Sequence, residues 1–127
     1  MIDRERLTRL RAAEEETFAA SHPRSAELAA AAEDSLLAGV PMPWMTRWAG
    51  AFPVFVDDAR GARFTDVDGN EYVDLCLGDT GAMAGHAPAP VVRAAAEQLA
   101  RGATLMLPTE ASSVAAGELA GRFGVPR

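Results

Sequence analysis

The chain has no lysine. All 12 of its basic residues are arginines. A Schiff base needs a lysine amine, so these residues cannot complete such a mechanism by themselves. Other ligating residues are scarce. Cys76 is the single cysteine, and His22 and His86 are the two histidines. That set excludes a zinc ribbon, a disulfide framework and an iron–sulfur cluster held by this chain alone. One cysteine fits a reducing compartment, and Cys76 reads as a small buried hydrophobe. No stretch approaches the roughly 20 apolar residues of a membrane span. The opening MIDRERLTRLR is charged and runs into Glu14, Glu15 and Glu16, where a secretory signal would carry apolar residues. A cytoplasmic chain is expected. Positive charge is in deficit, with a formal net charge of −6. That balance argues against non-specific nucleic-acid binding and against an anionic membrane surface. Neither a G-x-G-x-x-G nor a Walker A pattern occurs, and no serine sits in a nucleophile elbow.

What remains is a globular composition, 49% hydrophobic and 24% charged, in 127 residues. That length allows one compact domain. Residues 3 to 20 read as a helix with a thin stripe of Leu7, Leu10 and Phe18, on which Arg11 can pair with Glu14 or Glu15. Such a helix either lies on a partner or frays in solvent. Ser21, His22 and Pro23 break it, and His22 reads as a solvated turn residue. A second helix is expected over about 24 to 38, with Leu28, Ala32 and Leu36 on one face and Gly39 as its C-cap. Three prolines make residues 40 to 53 irregular. Trp44 and Trp48 there either plug the loop onto a core or line a pocket into which Arg47 points.

Three short strands follow, at 54–57, 62–66 and 71–75, with turns at Ala59-Arg60-Gly61 and Asp68-Gly69-Asn70. They predict an antiparallel meander. Leu77 to Pro90 is a Gly-, Ala- and Pro-rich loop. A helix runs from about 90 to 101, where Glu97 and Arg101 are spaced to pair. Thr109 caps a last helix, about 110 to 122. Three segments result: 1–40 helical, 41–89 loop and meander, and 90–127 two helices. This set does not close on itself, and Gly124-Val125-Pro126-Arg127 reads as the step into a next element. The expectation is the start of a larger protein, incomplete as a stand-alone domain.

Two local motifs fail on inspection. Asp66-Val67-Asp68-Gly69-Asn70 resembles a calcium loop. However, the sixth and twelfth positions from Asp66 hold Glu71 and Leu77, where an EF-hand needs Gly and Glu. Asp79-Thr80-Gly81 resembles the aspartic-protease triplet, which works as a carboxylate pair. The segments around it do not continue that pattern.

The order of the motifs does resemble a family. The run F-P-V-F-V-D-D-A-R-G-A-R-F-T-D-V-D-G-N-E-Y-V-D-L, from Phe52 to Leu75, is similar to the first hairpin of class III aminotransferases. The family wording D-x-D-G-x-x-Y-x-D falls on Asp66 to Asp74, and the Gly-His step on Gly85-His86. The passage from Leu36 to Arg47 and the Pro108-Thr109-Glu110 step resemble the glutamate-1-semialdehyde aminomutase-like branch. The likeness covers about residues 25 to 127. Two features depart from the pattern: Pro88 and Ala89 replace a second His and its Pro, and Asp79 stands where members often carry an aromatic or polar residue.

The resemblance implies an α/β fold of the fold-type I pyridoxal 5'-phosphate (PLP) transferases, of which this is the N-terminal part. It implies amino-group transfer between an amino acid and a keto acid in a homodimeric enzyme. By residue, it implies Arg47 on a substrate carboxylate, which a guanidinium grips through two parallel hydrogen bonds. It places Asp79, Thr80 and Gly81 on the substrate side, and Thr109 near the partner subunit's cofactor phosphate. The principal cofactor-holding groups of the family have no counterpart here. The chain alone is therefore expected to be inactive and to bind no PLP stably. The alternatives are a stand-alone interaction module, pairing through 90–101 and 110–122, or an inactive truncated product.

Overall fold

The computed structural model describes residues 2–124. It forms two compact units, Met1–Pro88 and Ala89–Arg127. In the first, helix α1 (Arg4–Ser21) begins where the Asp3 carboxylate accepts from the Arg6 N–H at 2.9 Å, an N-cap contact. Arg11 pairs with Glu15 at 2.7 Å on its exposed surface. The chain turns at His22, and helix α2 (Pro23–Ala32) starts with proline in its first turn, where no N–H is needed.

Helix α2 is shorter than the apolar spacing predicts. Glu33, Asp34 and Ser35 donate to carbonyls three residues back, tightening the chain into turns. Ala38 and Gly39 then take φ of 57° and 67°, which no continuing helix allows. Residues Pro43–Arg47 form a short 3₁₀ turn. Trp44 and Trp48 are 61% and 47% exposed, so they do not plug a core. Trp48 instead lines a cleft of about 260 Å³ with Glu33, Val40, Met45 and Phe52.

The meander is β1 (Val56–Arg60), β2 (Arg63–Asp66) and β3 (Glu71–Val73), antiparallel in the order β1-β2-β3. Strand β1 starts and ends later than expected, because Asp57 is a bulge between Val56 and Asp58 and the turn tightens onto Gly61. Phe64 faces Tyr72 across β2 and β3, with ring centroids 4.8 Å apart. Side chains alternate along a strand, so Phe64 and Asp66 share a face, and Tyr72 meets them there. His22 docks on that face. A ladder of rings results: Phe52, Phe18, His22, Tyr72 and Phe64, with neighbouring centroids 4.3 to 6.4 Å apart.

Polar contacts pin the helical corner to the sheet. Asp66 is 1% exposed and accepts four hydrogen bonds: the N–H groups of Asp68 and Asn70, the Asn70 amide and the Tyr72 hydroxyl. His22, expected in solvent, is 6% exposed. Its Nε2 lies 2.6 Å from the Tyr72 hydroxyl and 3.4 Å from the Asp66 carboxylate. Asp68 caps α2 from outside the helix, accepting from the N–H groups of Arg24 and Ser25 and from the Ser25 hydroxyl. The calcium-like motif is thus an internal clamp. Among the described residues, no group of three or more His, Cys, Asp or Glu is placed to hold a metal.

The second unit holds α3 (Ala89–Leu99) and α4 (Glu110–Phe123), neither with a buried residue. Arg101 pairs with Gln98, not Glu97. Val125-Pro126-Arg127, read above as the way into a next element, lie outside the described residues. Val40 is the one buried apolar side chain among the described residues, while Leu99, Leu107, Val114, Leu119 and Phe123 are all exposed. No helix among the described residues is long and apolar enough to cross a membrane.

Two outcomes follow for the clamp. Asp66→Ala strands buried donors, each costing about 1–3 kcal/mol, so the first unit should lose at least about 2 kcal/mol in urea titration. A loss below 0.5 kcal/mol, as an order of magnitude for a neutral surface change, would contradict the clamp. Burial raises the affinity of Asp66 for a proton, but the bonds from Asn70, Tyr72 and Asp68 outweigh it, and the carboxyl lies below its usual 3.8. Burial likewise opposes the bonds from Ser25 and Arg24 that lower Asp68. Both carboxylates therefore stabilise the fold fully above the unfolded value, and that stability fades as pH falls through the folded ones. Circular dichroism should record loss of structure below about pH 4, and a flat profile down to pH 2 would be incompatible with it.

Candidate functional site

The predicted substrate-side residues Asp79, Thr80 and Gly81 sit on a loop whose two ends are fastened together. Strand β3 delivers Asp74 to the start of the loop. One oxygen of its carboxylate accepts from the N–H groups of Cys76 and Leu77, at 2.9 and 3.0 Å. The other lies 2.6 Å from His86 Nε2, at the end of the loop. His86 also forms a two-way backbone bridge with Gly61, at 2.8 and 3.0 Å. The Asp74 N–H donates to the Ala62 carbonyl, so both ends rest on the β1–β2 turn. Such a closed loop with adjacent ends is a compact surface element of the Ω type.

The loop is tightly wound. Leu77, Gly78, Asp79 and Thr80 have successive φ values of 56°, 56°, 53° and 75°. Three of these carry a Cβ, and each costs about 1–2 kcal/mol relative to a right-handed residue. Thr80 is β-branched, which makes a positive φ rarer still. Hydrogen bonds from Asp79, Gly81, Ala82 and Gly85 to carbonyls within the loop hold this path. Asp79, Thr80 and Gly81 are exposed at its tip. Cys76, expected to be buried, is exposed as well, since the loop leaves the sheet at this point.

The His86 hydrogen bond is the largest influence on Asp74, holding its carboxyl below the ordinary value. Burial opposes it, and the Cys76 and Leu77 N–H groups add to it. Tyr72, by contrast, is pushed up to about 12 by burial and by the Asp66 carboxylate beside it.

Arg47 ends the 3₁₀ turn and is exposed. Among the described residues, no carboxylate lies within ion-pair distance of it. Arg47 and Asp79–Gly81 stand on separate elements of the first unit, and no hydrogen bond joins them. Thr109 belongs to the second unit. It occupies the N-cap of α4 with an extended backbone, but its side chain makes no capping bond. Its carbonyl accepts from the Ser112 hydroxyl at 2.6 Å. Thr109 also lines a cleft of about 520 Å³ with Gln98, Arg101, Leu105, Glu110 and Val114.

Ser21, His22 and Asp66 come together like a hydrolytic triad without acting as one. His22 Nδ1 lies 2.7 Å from the Phe18 carbonyl, which can only accept, so Nδ1 carries the hydrogen. It cannot take a proton from Ser21, whose hydroxyl donates to the Thr17 or Phe18 carbonyl instead.

No family model matches the chain. Individual proteins do. A glutamate-1-semialdehyde 2,1-aminomutase of Methanocaldococcus jannaschii is 37% identical over 99 residues, 78% of this chain and 23% of that protein. One from Thermoplasma acidophilum is 44% identical over 73 residues, 58% of this chain and 17% of that protein. The crystal structure of a Pseudomonas aeruginosa glutamate-1-semialdehyde aminomutase matches 99% of this chain and 28% of its own, at 48% identity and a TM-score of 0.90. The chain matches an N-terminal segment of the class III PLP-dependent aminotransferases.

The chain spans less than a third of the length of these aminotransferase relatives. Its architecture is a partial fold-type I arrangement of helices and a three-stranded antiparallel sheet. A transaminase with PLP bound matches 80% of the chain at 32% identity, with a TM-score of 0.73. The residues present here do not by themselves fit PLP. No lysine exists in this chain to hold it, and the cleft that Thr109 lines carries Glu110, whose charge opposes a phosphate, as well as Arg101. The sequence marks the loop and Arg47 as candidates, and it gives neither the burial of His22 nor the Asp74–His86 clasp. The available signals were Pro23 directly after His22, and an Asp and a His bounding a Gly-rich loop.

Gly85 tests the clasp sterically. A Cβ there would meet Gly61 Cα at 3.1 Å and its carbonyl oxygen at 3.3 Å, at a φ of 86°. At Gly61 (φ 56°) a Cβ would meet nothing within 4 Å. Gly61→Ala should cost about 1 kcal/mol from backbone strain alone, and Gly85→Ala clearly more. Equal losses in paired denaturation curves would show that the close approach is absent.

Proposed function

We propose that this segment works in a class III, PLP-dependent aminotransferase or aminomutase, supplying substrate-side loops and dimer contacts. The observation that carries this reading is the match over 99% of the chain to the Pseudomonas aeruginosa enzyme. PLP, held by other parts of the enzyme, supplies the electron sink for amino-group transfer when bound. The residues of this segment bind and orient. Arg47 takes the carboxylate of a substrate such as glutamate-1-semialdehyde, as its exposure without a carboxylate partner allows. Asp79, Thr80 and Gly81 face the same substrate from the fastened loop. Thr109 lies near the cofactor phosphate of the partner subunit, its hydroxyl free of the capping bond that its position would favour. The exposed apolar side chains of α3 and α4 suit burial in a homodimer.

The test is a graft in which this segment replaces the matching 28% of the Pseudomonas aeruginosa enzyme. The graft should load PLP and turn over glutamate-1-semialdehyde. Arg47→Ala in the graft should raise KM about tenfold or more, since a charge-assisted hydrogen bond is worth about 1.5–3 kcal/mol. An unchanged KM would remove Arg47 from the substrate site.

A further inference from the structure

Hydrogen bonds inside the substrate-side loop shape its wound path, and one carboxylate holds both of its ends. Asp74 Oδ1 fixes the Cys76 and Leu77 N–H groups, the step into the positive-φ run. Asp74 Oδ2 fixes His86, and through it the Gly61 bridge. We propose that Asp74 is a positioning residue: with His86 it clasps the loop of residues 75–85 and so sets where Asp79 and Thr80 meet the substrate.

The chemistry suits that role. Leu77, Asp79 and Thr80 each resist a positive φ, so a free loop of this sequence would relax into right-handed turns. Asp74 and His86 are only partly exposed and lie at the foot of the loop, whereas Asp79 and Thr80 project at its tip. A charge-assisted bond of 2.6 Å is directional as well as strong, which a fastening needs. The Ala62 carbonyl and the Gly61 bridge hold the foot of the loop and four backbone bonds lie within it, but Asp74 alone joins its first amides to His86. Asp74, its carboxylate engaged by the Cys76 and Leu77 amides and by His86, acts through the loop.

This inference rests on the reading that the loop faces the substrate, and the test separates the two. In the graft described above, Asp74→Asn and His86→Gln are compared with Asp79→Ala. Two quantities are read: amide hydrogen exchange of residues 75–85, and the separate values of KM and kcat. Asp74→Asn should speed exchange in the loop at least tenfold, and raise KM at least fivefold while kcat changes less than twofold. His86→Gln should do the same, and the double variant should add little, as expected of two halves of one clasp. If exchange stays slow, the clasp is not what holds the loop, and the proposal fails while the substrate-side reading stands. If exchange quickens but KM holds, the positioning role fails. If Asp79→Ala also leaves KM unchanged, the substrate-side reading has failed with it. Should Asp74→Asn not fold, His86→Gln decides alone, since it leaves the Cys76 and Leu77 bonds in place.

Discussion

The first unit depends on a carboxylate that has no solvent to turn to. Asp66 is buried and fully hydrogen-bonded, and each of its partners belongs to a different task. The Asp68 and Asn70 amides shape the β2–β3 turn, Tyr72 ties in β3, and His22 brings the helical corner. A buried charge is costly unless it is satisfied in this way. Apolar burial is slight here, so the polar clamp and the ring ladder carry the specificity that a larger core would supply.

The clamp also explains why a short motif can organise two helices and a sheet. The turn that lets Asp66 accept from Asn70 points Asp68 at the start of α2. One peptide segment thus closes a hairpin and caps a distant helix. The loop at residues 75–85 repeats the device at smaller scale, with Asp74 as the carboxylate and the β1–β2 turn as the anchor. Both devices engage their carboxylate oxygens with backbone amides on one side and side chains on the other.

Much of this was legible in the sequence, for local reasons. The meander was written in its Asp-Gly and Arg-Gly turns and in Phe64 and Tyr72. The helices were written in their caps, prolines and apolar spacing. The family order of motifs was visible from Phe52 to His86. What failed to show were long-range contacts. His22 looked solvated because its partner Tyr72 lies 50 residues away. Helix α2 looked longer because the spacing of Leu36 does not reveal that Ala38 and Gly39 reverse the chain. Cys76 looked buried, and Trp44 and Trp48 stood open between core and pocket, because residue type predicts burial only where a core exists to receive it. Arg47 and the loop were marked by resemblance, while the fastening beneath the loop is geometry that no spacing encodes.

The distance between His22 and Tyr72 has a consequence for synthesis. A ribosome adds roughly 5–20 residues each second, so α1 and α2 emerge roughly 2–10 s before the strand that holds them. Throughout that interval the helical corner lacks both the Asp68 cap on α2 and the Tyr72 partner of His22. The hairpin finds its partners among neighbours in sequence, whereas the corner waits for Tyr72, 50 residues on. Translation speed between residues 23 and 72 therefore sets how long α1 and α2 stay open to other encounters.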